Sequence, residues 1–205
     1  MNYDELDLSR FSLETTSPLK CIAGIFPENR LTLLHGVQGS GKTYSTIKAL
    51  NRAKIKPIYL ALEGTDGLDG LDFDGVNSGL LKVLMDHTNT YSPLKGRTVI
   101  IDTYTVLRSI WFVPHGDGSD ESLTSKLIWM CKHHDITLIV IGHTKQNAGI
   151  SNTFVDNLSL VRGASEELHL DVEFKKVTGE YIYSLRVKKG RGTGGARVIT
   201  NWMRD

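Results

Sequence analysis

Eight consecutive residues, Gly36-Val37-Gln38-Gly39-Ser40-Gly41-Lys42-Thr43, set three glycines, a lysine and a hydroxyl in the spacing G-x-x-x-x-G-K-[ST]. That spacing builds a cradle for a phosphate chain. The glycines let the backbone wrap closely, and its N–H groups and the N-terminus of a following helix point at anions. Lys42 reaches the β and γ phosphates as a point charge, and the Thr43 hydroxyl ligates Mg²⁺. Such a metal needs a second anchor, an Asp at the carboxyl end of a buried strand, and Asp102 closes the apolar run Thr98-Val99-Ile100-Ile101. Thr103, not a glutamate, follows Asp102, so the group that takes a proton from an attacking water must stand elsewhere. Glu63 ends the run Ile58-Tyr59-Leu60-Ala61-Leu62 and reaches the same sheet edge if that strand neighbours the first.

Gly36 and Asp102 lie 66 positions apart, so a sheet must bring these residues together. Residues 31–35 read as a short strand, 43–53 as a helix with Ile47, Leu50 and Ala53 near one face, and 58–62 as a second strand. Residues 80–85 and 98–102 read as buried strands. Residues 122–134 form a helix with Leu123, Leu127 and Met130 on its apolar side and Asp120 or Ser122 as cap, and 136–141 form a further buried strand. Strand, helix and strand in alternation predict an α/β fold: a mostly parallel sheet with helices on both faces. The last 40 residues change rhythm. Residues 168–176 and 181–188 alternate apolar and polar around Thr178-Gly179-Glu180, an antiparallel hairpin, and 197–202 add a third strand.

With 205 residues, 40% hydrophobic and 23% charged, the chain fills one core, and without repeat or linker it reads as a single domain over 1–205, of which 1–25 is a short lead segment. No run of about 18 apolar residues is present, and the acidic start with Asp4 and Glu5 is not a secretory signal. Cys21 and Cys131 are too few for a disulfide scaffold; they read as buried fillers in a reducing cytoplasm. The net charge of +1 argues against a chain that coats nucleic acid over its whole surface, but the distribution is uneven. Residues 174–205 hold eight basic residues against two acids, whereas 60–76 hold five acids and no base. Asp72-Phe73-Asp74-Gly75 lacks the rest of a calcium loop, and Cys131, His133 and His134 lack a second ligand pair for zinc.

Taken together, the motifs resemble the RecA-like P-loop ATPase family, in particular its branch of ring-forming DnaB-type and RepA-type replicative helicases. Members of the AAA+ class carry a Glu directly after the metal Asp; in the RecA-like branch the catalytic Glu follows the second core strand, as Glu63 does here. A His or Gln that senses the γ-phosphate ends a later strand in that branch, and Ile139-Val140-Ile141-Gly142-His143-Thr144-Lys145 matches it, which makes His143 the sensor. Val161-Arg162-Gly163-Ala164-Ser165 is similar to the Arg-Gly-Ala/Ser-Ser segment of RepA-type proteins, after residues 146–160, which in the family face a central DNA channel. Lys188-Lys189-Gly190-Arg191-Gly192 is similar to the Lys-x-Arg element that DnaB-type subunits insert into a neighbour's site; it implies that Lys189 and Arg191 act in trans.

The resemblance spans residues 25–198. It implies a Mg²⁺-dependent ATP hydrolase coupled to single-stranded DNA: the core of a helicase or translocase, homo-oligomeric as a hexameric ring, working in the cytoplasm with replication or recombination proteins. The family's two DNA loops correspond to residues 108–120 and 146–160, which makes Arg108, Lys145 and Arg162 candidate contacts, with Trp111 and Phe112 as stacking or buried rings. About 25 residues before the core do not hold the amino-terminal domain of DnaB-type helicases, so the layout is nearer a RepA-type bare motor of a phage or plasmid system. Two other functions stay open at this point: a recombinase or recombination mediator that forms filaments on DNA, and a nucleotide-dependent switch acting on a protein partner.

Overall fold

A computed structural model describes residues 25–76, 79, 81, 94–115, 119–144, 158–175, 177, 180–190 and 197–200. The chain order is β1 (Leu31–Gly36), α1 (Lys42–Arg52), β2 (Ile58–Ala61), β3 (Asp74–Val76), β4 (Thr98–Asp102), α2 (Tyr104–His115), α3 (Asp120–His133), β5 (Thr137–His143), α4 (Leu158–Gly163), β6 (Glu166–Lys175), β7 (Glu180–Gly190) and β8 (Arg197–Thr200). The described strands form one eight-stranded sheet in the order β3-β2-β4-β5-β1-β6-β7-β8. Six of them, from β3 to β6, run parallel; β7 and β8 are antiparallel additions. This is the mostly parallel α/β core expected from the alternation of apolar runs, with the C-terminal antiparallel extension expected from the change of rhythm.

Side chains alternate across the sheet, and each face carries its own core. Leu31, Leu33, Val99, Ile101, Leu138 and Val140 pack against Leu107, Leu123, Leu127, Met130 and Leu160 of α2, α3 and α4. On the other face Leu34, Ile100, Ile139 and Ile141 meet Ile47 and Leu50 of α1. Central strands are buried on both faces, which is why they read as continuous apolar runs.

Three expectations need correction, and one strand was not expected. Leu81, expected in a strand over 80–85, is helical, as is Gly79, and the other residues of that expected strand lie outside the described residues; a short apolar run has no period that separates a buried helix from a strand. The strand of that region is β3, whose residues Asp74-Gly75-Val76 are too polar to announce themselves. Residues 108–115 belong to α2 and are not a loop; Tyr104, Leu107 and Trp111 at helical spacing face the core. Finally, α3 is capped by Ser119, with extended backbone and its Oγ accepting from the Ser122 N–H at 3.1 Å. Asp120 and Ser122 already lie inside the helix, and a cap must precede it; Asp120 and Glu121 in the first turn and Lys132 and His133 in the last suit the helix dipole.

Candidate functional site

In a parallel sheet every strand delivers its last residue to the same edge, and the crossovers return the chain to the other. The register fixes what meets there. Gly36 at the end of β1 lies beside His143 at the end of β5, and Asp102 at the end of β4 lies between Ile141 and Ala61. Glu63 follows β2. The condition set above, that β2 neighbours β1, is not met, because β4 and β5 stand between them. Glu63 still reaches the same edge, since it follows a strand parallel to the other three.

The phosphate loop sits at this edge in an unusually close approach: a Cβ on Gly36 would stand 2.5 Å from the Leu170 carbonyl of β6, so no larger residue fits without moving a backbone. Gly39 and Gly41 hold left-handed conformations, with φ of 76° and 75°. Ser45 N–H bonds back to the Gly41 carbonyl at 2.8 Å, which closes the first turn of α1. That turn has neither a side-chain cap nor an acid, so its free N–H groups and positive dipole end are left for an anion. Lys42 is buried and donates to the carbonyls of Gly36 at 3.1 Å and Val37 at 2.8 Å. Burial lowers its ammonium from the ordinary lysine value to about 8, against the opposing pull of Asp102 and Glu63.

Thr43 Oγ1 donates to Asp102 Oδ2. A hydroxyl and a carboxylate in contact at the mouth of a phosphate loop form an all-oxygen donor pair suited to Mg²⁺, which keeps waters and substrate phosphates as its other ligands. Glu63 stands nearby: its Oε1 accepts from Thr103 Oγ1 at 2.6 Å, and its Oε2 lies 3.7 Å from His143 Nε2. Gln38, Gly39, Gly41, Lys42, Thr43, Tyr44, Glu63, Asp66, Gly67, Leu68, Asp102 and His143 line one cavity of about 330 Å³. All the hydrolytic residues named from sequence except those of the Lys-x-Arg element therefore converge.

Two residues of this site were not singled out beforehand. Tyr59 is buried in the middle of β2, edge-on to Phe73 with ring centroids 5.4 Å apart, and its hydroxyl lies 3.1 Å from both Asp102 Oδ2 and the Gly64 carbonyl. Burial, and then Asp102, raises its pKa, which keeps the phenol protonated and able to donate. Thr103, fully buried behind Glu63, is the other. Its peptide bond with Asp102 is cis. A tyrosine within an apolar strand run and a threonine before a helix carry no local signal for either role.

The remaining candidates are placed elsewhere. Lys189 lies on β7 opposite Glu167, toward the amino-terminal edge of the sheet, because β7 runs against β6 and its last residue pairs with the first residue of β6. Its strand is four positions from that of Asp102, about 19 Å at ordinary strand spacing. Lys189 is thus no part of its own chain's nucleotide edge; Arg191 lies outside the described residues. Arg108, on α2, makes a two-pronged pair with Asp120 at 2.7 and 3.2 Å. Trp111 packs against the core, Arg162 is exposed on α4, and Lys145, residues 146–157 and Cys21 lie outside the described residues.

No family model and no curated protein matches the sequence. Among solved structures, the crystal structure of the RadB recombinase is similar over 90% of this chain and 92% of its own, with a TM-score of 0.59 at 17% identity. The crystal structure of flagellar accessory protein FlaH from Methanocaldococcus jannaschii is similar over 95% of this chain and 92% of its own, with a TM-score of 0.58 at 15% identity. At such identities the likeness concerns the fold alone, and it agrees with the α/β fold that the motif resemblance implied.

Proposed function

We propose that this protein is a Mg²⁺-dependent ATP hydrolase coupled to single-stranded DNA, with the motor core of a ring-forming helicase or translocase as the leading reading. The observation that carries the hydrolase is the convergence of Lys42, Thr43, Asp102, Glu63 and His143 on one cavity at the carboxyl edge of the sheet. Lys42 holds the β and γ phosphates, with the loop N–H groups around them. Thr43 and Asp102 are the residues that would hold Mg²⁺, which would supply positive charge to offset the charge developing on the transferred phosphoryl group. Glu63 takes the proton of the attacking water, and His143, within reach of Glu63, contacts the γ-phosphate and passes its loss to the segment after β5. Arg191 and Lys189 act on a neighbouring subunit's nucleotide.

The helicase reading is supported by the motif resemblance. The likeness to the RadB recombinase fold favours a second reading, a DNA recombinase or mediator without unwinding, and the likeness to the FlaH fold keeps a nucleotide switch with a protein partner as a third. Steady-state ATP hydrolysis with and without single-stranded DNA separates them, with Lys42→Ala as contamination control. Strong stimulation supports a DNA-coupled ATPase, after which strand unwinding supports the helicase and nucleotide-dependent filaments support the recombinase. Hydrolysis indifferent to DNA overturns the proposal in favour of the switch.

A further inference from the structure

Thr103 occupies the place where a second carboxylate would stand if the proton acceptor followed Asp102 directly. It is the residue before α2, and its carbonyl accepts from the Leu107 N–H at 3.0 Å. A threonine there would ordinarily use its hydroxyl to cap the helix. Instead the hydroxyl hydrogen is directed at Glu63 Oε1 across 40 residues of sequence, at 2.6 Å. Thr103 is fully buried while the Glu63 side chain is 42% exposed. The fixed partner is therefore the threonine and the movable one is the glutamate.

Glu63 stands in a glycine-interrupted segment after β2, with Gly64 at φ 111° directly after it. A long side chain on such a segment has several rotamers available, and only a narrow subset brings a carboxylate oxygen to a water in line with a γ-phosphate. Holding Oε1 from behind leaves Oε2 on the cavity side, beside His143. We infer that Thr103 is a positioning residue for hydrolysis: its hydroxyl orients the Glu63 carboxylate toward the water, so that the segment after β4 supplies the orientation and the segment after β2 supplies the base. This rests on the assignment of Glu63 as base under the proposed function.

The test is a kinetic comparison of Thr103→Val, which keeps shape and loses the hydroxyl, with Thr103→Ser, which keeps the hydroxyl. Loss of a hydrogen bond to a charged group predicts that kcat falls about 10- to 100-fold in Thr103→Val, with the KM for ATP and the thermal midpoint close to wild type. Thr103→Ser restores most of the loss. In a Glu63→Ala background Thr103→Val costs nothing more, since no carboxylate remains to orient. Wild-type kcat in Thr103→Val, or an equal loss in Thr103→Ser, overturns the inference. So does a full additional loss in the Glu63→Ala background. Wild-type turnover in Glu63→Ala would instead refute the base assignment itself, which keeps the two failures distinct.

Discussion

The parallel part of the sheet and its antiparallel extension solve different problems. From β3 to β6 every strand ends at one edge, so residues as distant in sequence as Lys42, Glu63, Asp102 and His143 are gathered by topology alone. From β6 to β8 successive strands reverse, neighbours in space are neighbours in sequence, and the basic Lys188–Lys189 end is carried toward the opposite edge. One region concentrates chemistry within the chain; the other directs its charge away from it. The seam between them is β6, shared by both, which the Gly36 approach to Leu170 and a largely buried chain, Glu167 to His35 to His169, tie to β1.

The largest expected effects test whether the extension serves another subunit. Arg191→Ala should lower turnover by about 10³-fold or more, as fingers of this kind do. Mixing Lys42→Ala with Arg191→Ala subunits should restore part of it, because some interfaces then combine an intact loop with an intact finger. Failure of every mixture with assembly intact would break the contrast between the two regions. Glu63→Gln, wholly within the parallel part, should cost about 10²- to 10⁴-fold in kcat while nucleotide binding persists and mixing gives no rescue of its own sites. Unchanged turnover removes Glu63 from the mechanism.

Two smaller effects follow from protonation. Lys42 must be charged to hold phosphate, and its value of about 8 means that above this pH binding takes up a proton. Affinity for ATP should fall by up to tenfold per pH unit over that range, read by calorimetry in buffers of different ionisation enthalpy. The same depression makes the folded chain bind fewer protons than the unfolded one between pH 8 and 10.5, so a stability cost present below pH 8 fades as the pH rises. At the seam, burial lowers the His35 pKa below the usual 6.5, with Glu167 acting in the other direction. Neutral His35 is therefore favoured in the fold, and stability should decline as the pH falls below about 6.5. A His35→Gln variant should flatten that slope in thermal unfolding; an unchanged slope would assign it to other groups.

Much of this was legible in the sequence because the signals are local. The phosphate loop is eight contiguous residues, and β4 and β5 are apolar runs that end in the candidate site residues Asp102 and His143. What was not legible depends on partners. Helix α2 was read as loop from residue 108 because its apolar side emerges only once Tyr104 is taken into the same period. Arg108 read as a candidate DNA contact, and in the structure Asp120 at the start of the next helix engages it. Cys131 behaved as its type suggested: it is buried, and burial pushes its thiol up to about 12.

The sequence by itself determined a backbone cradle of the shape and charge that suits phosphate, because close wrapping and a terminal lysine are properties of adjacent residues. It also marked β4 and β5 as buried strands, since burial on both faces demands apolar side chains at every position. Strand order was left to the tertiary structure. Only that order inserts β4 and β5 between β1 and β2, sets Tyr59 behind Asp102 and Thr103 behind Glu63, and sends Lys189 away from its own nucleotide edge. The physical reason is that hydrogen bonds between parallel strands are made by backbone, which is the same in every residue, so adjacency is chosen by how helices and loops pack over the whole sheet.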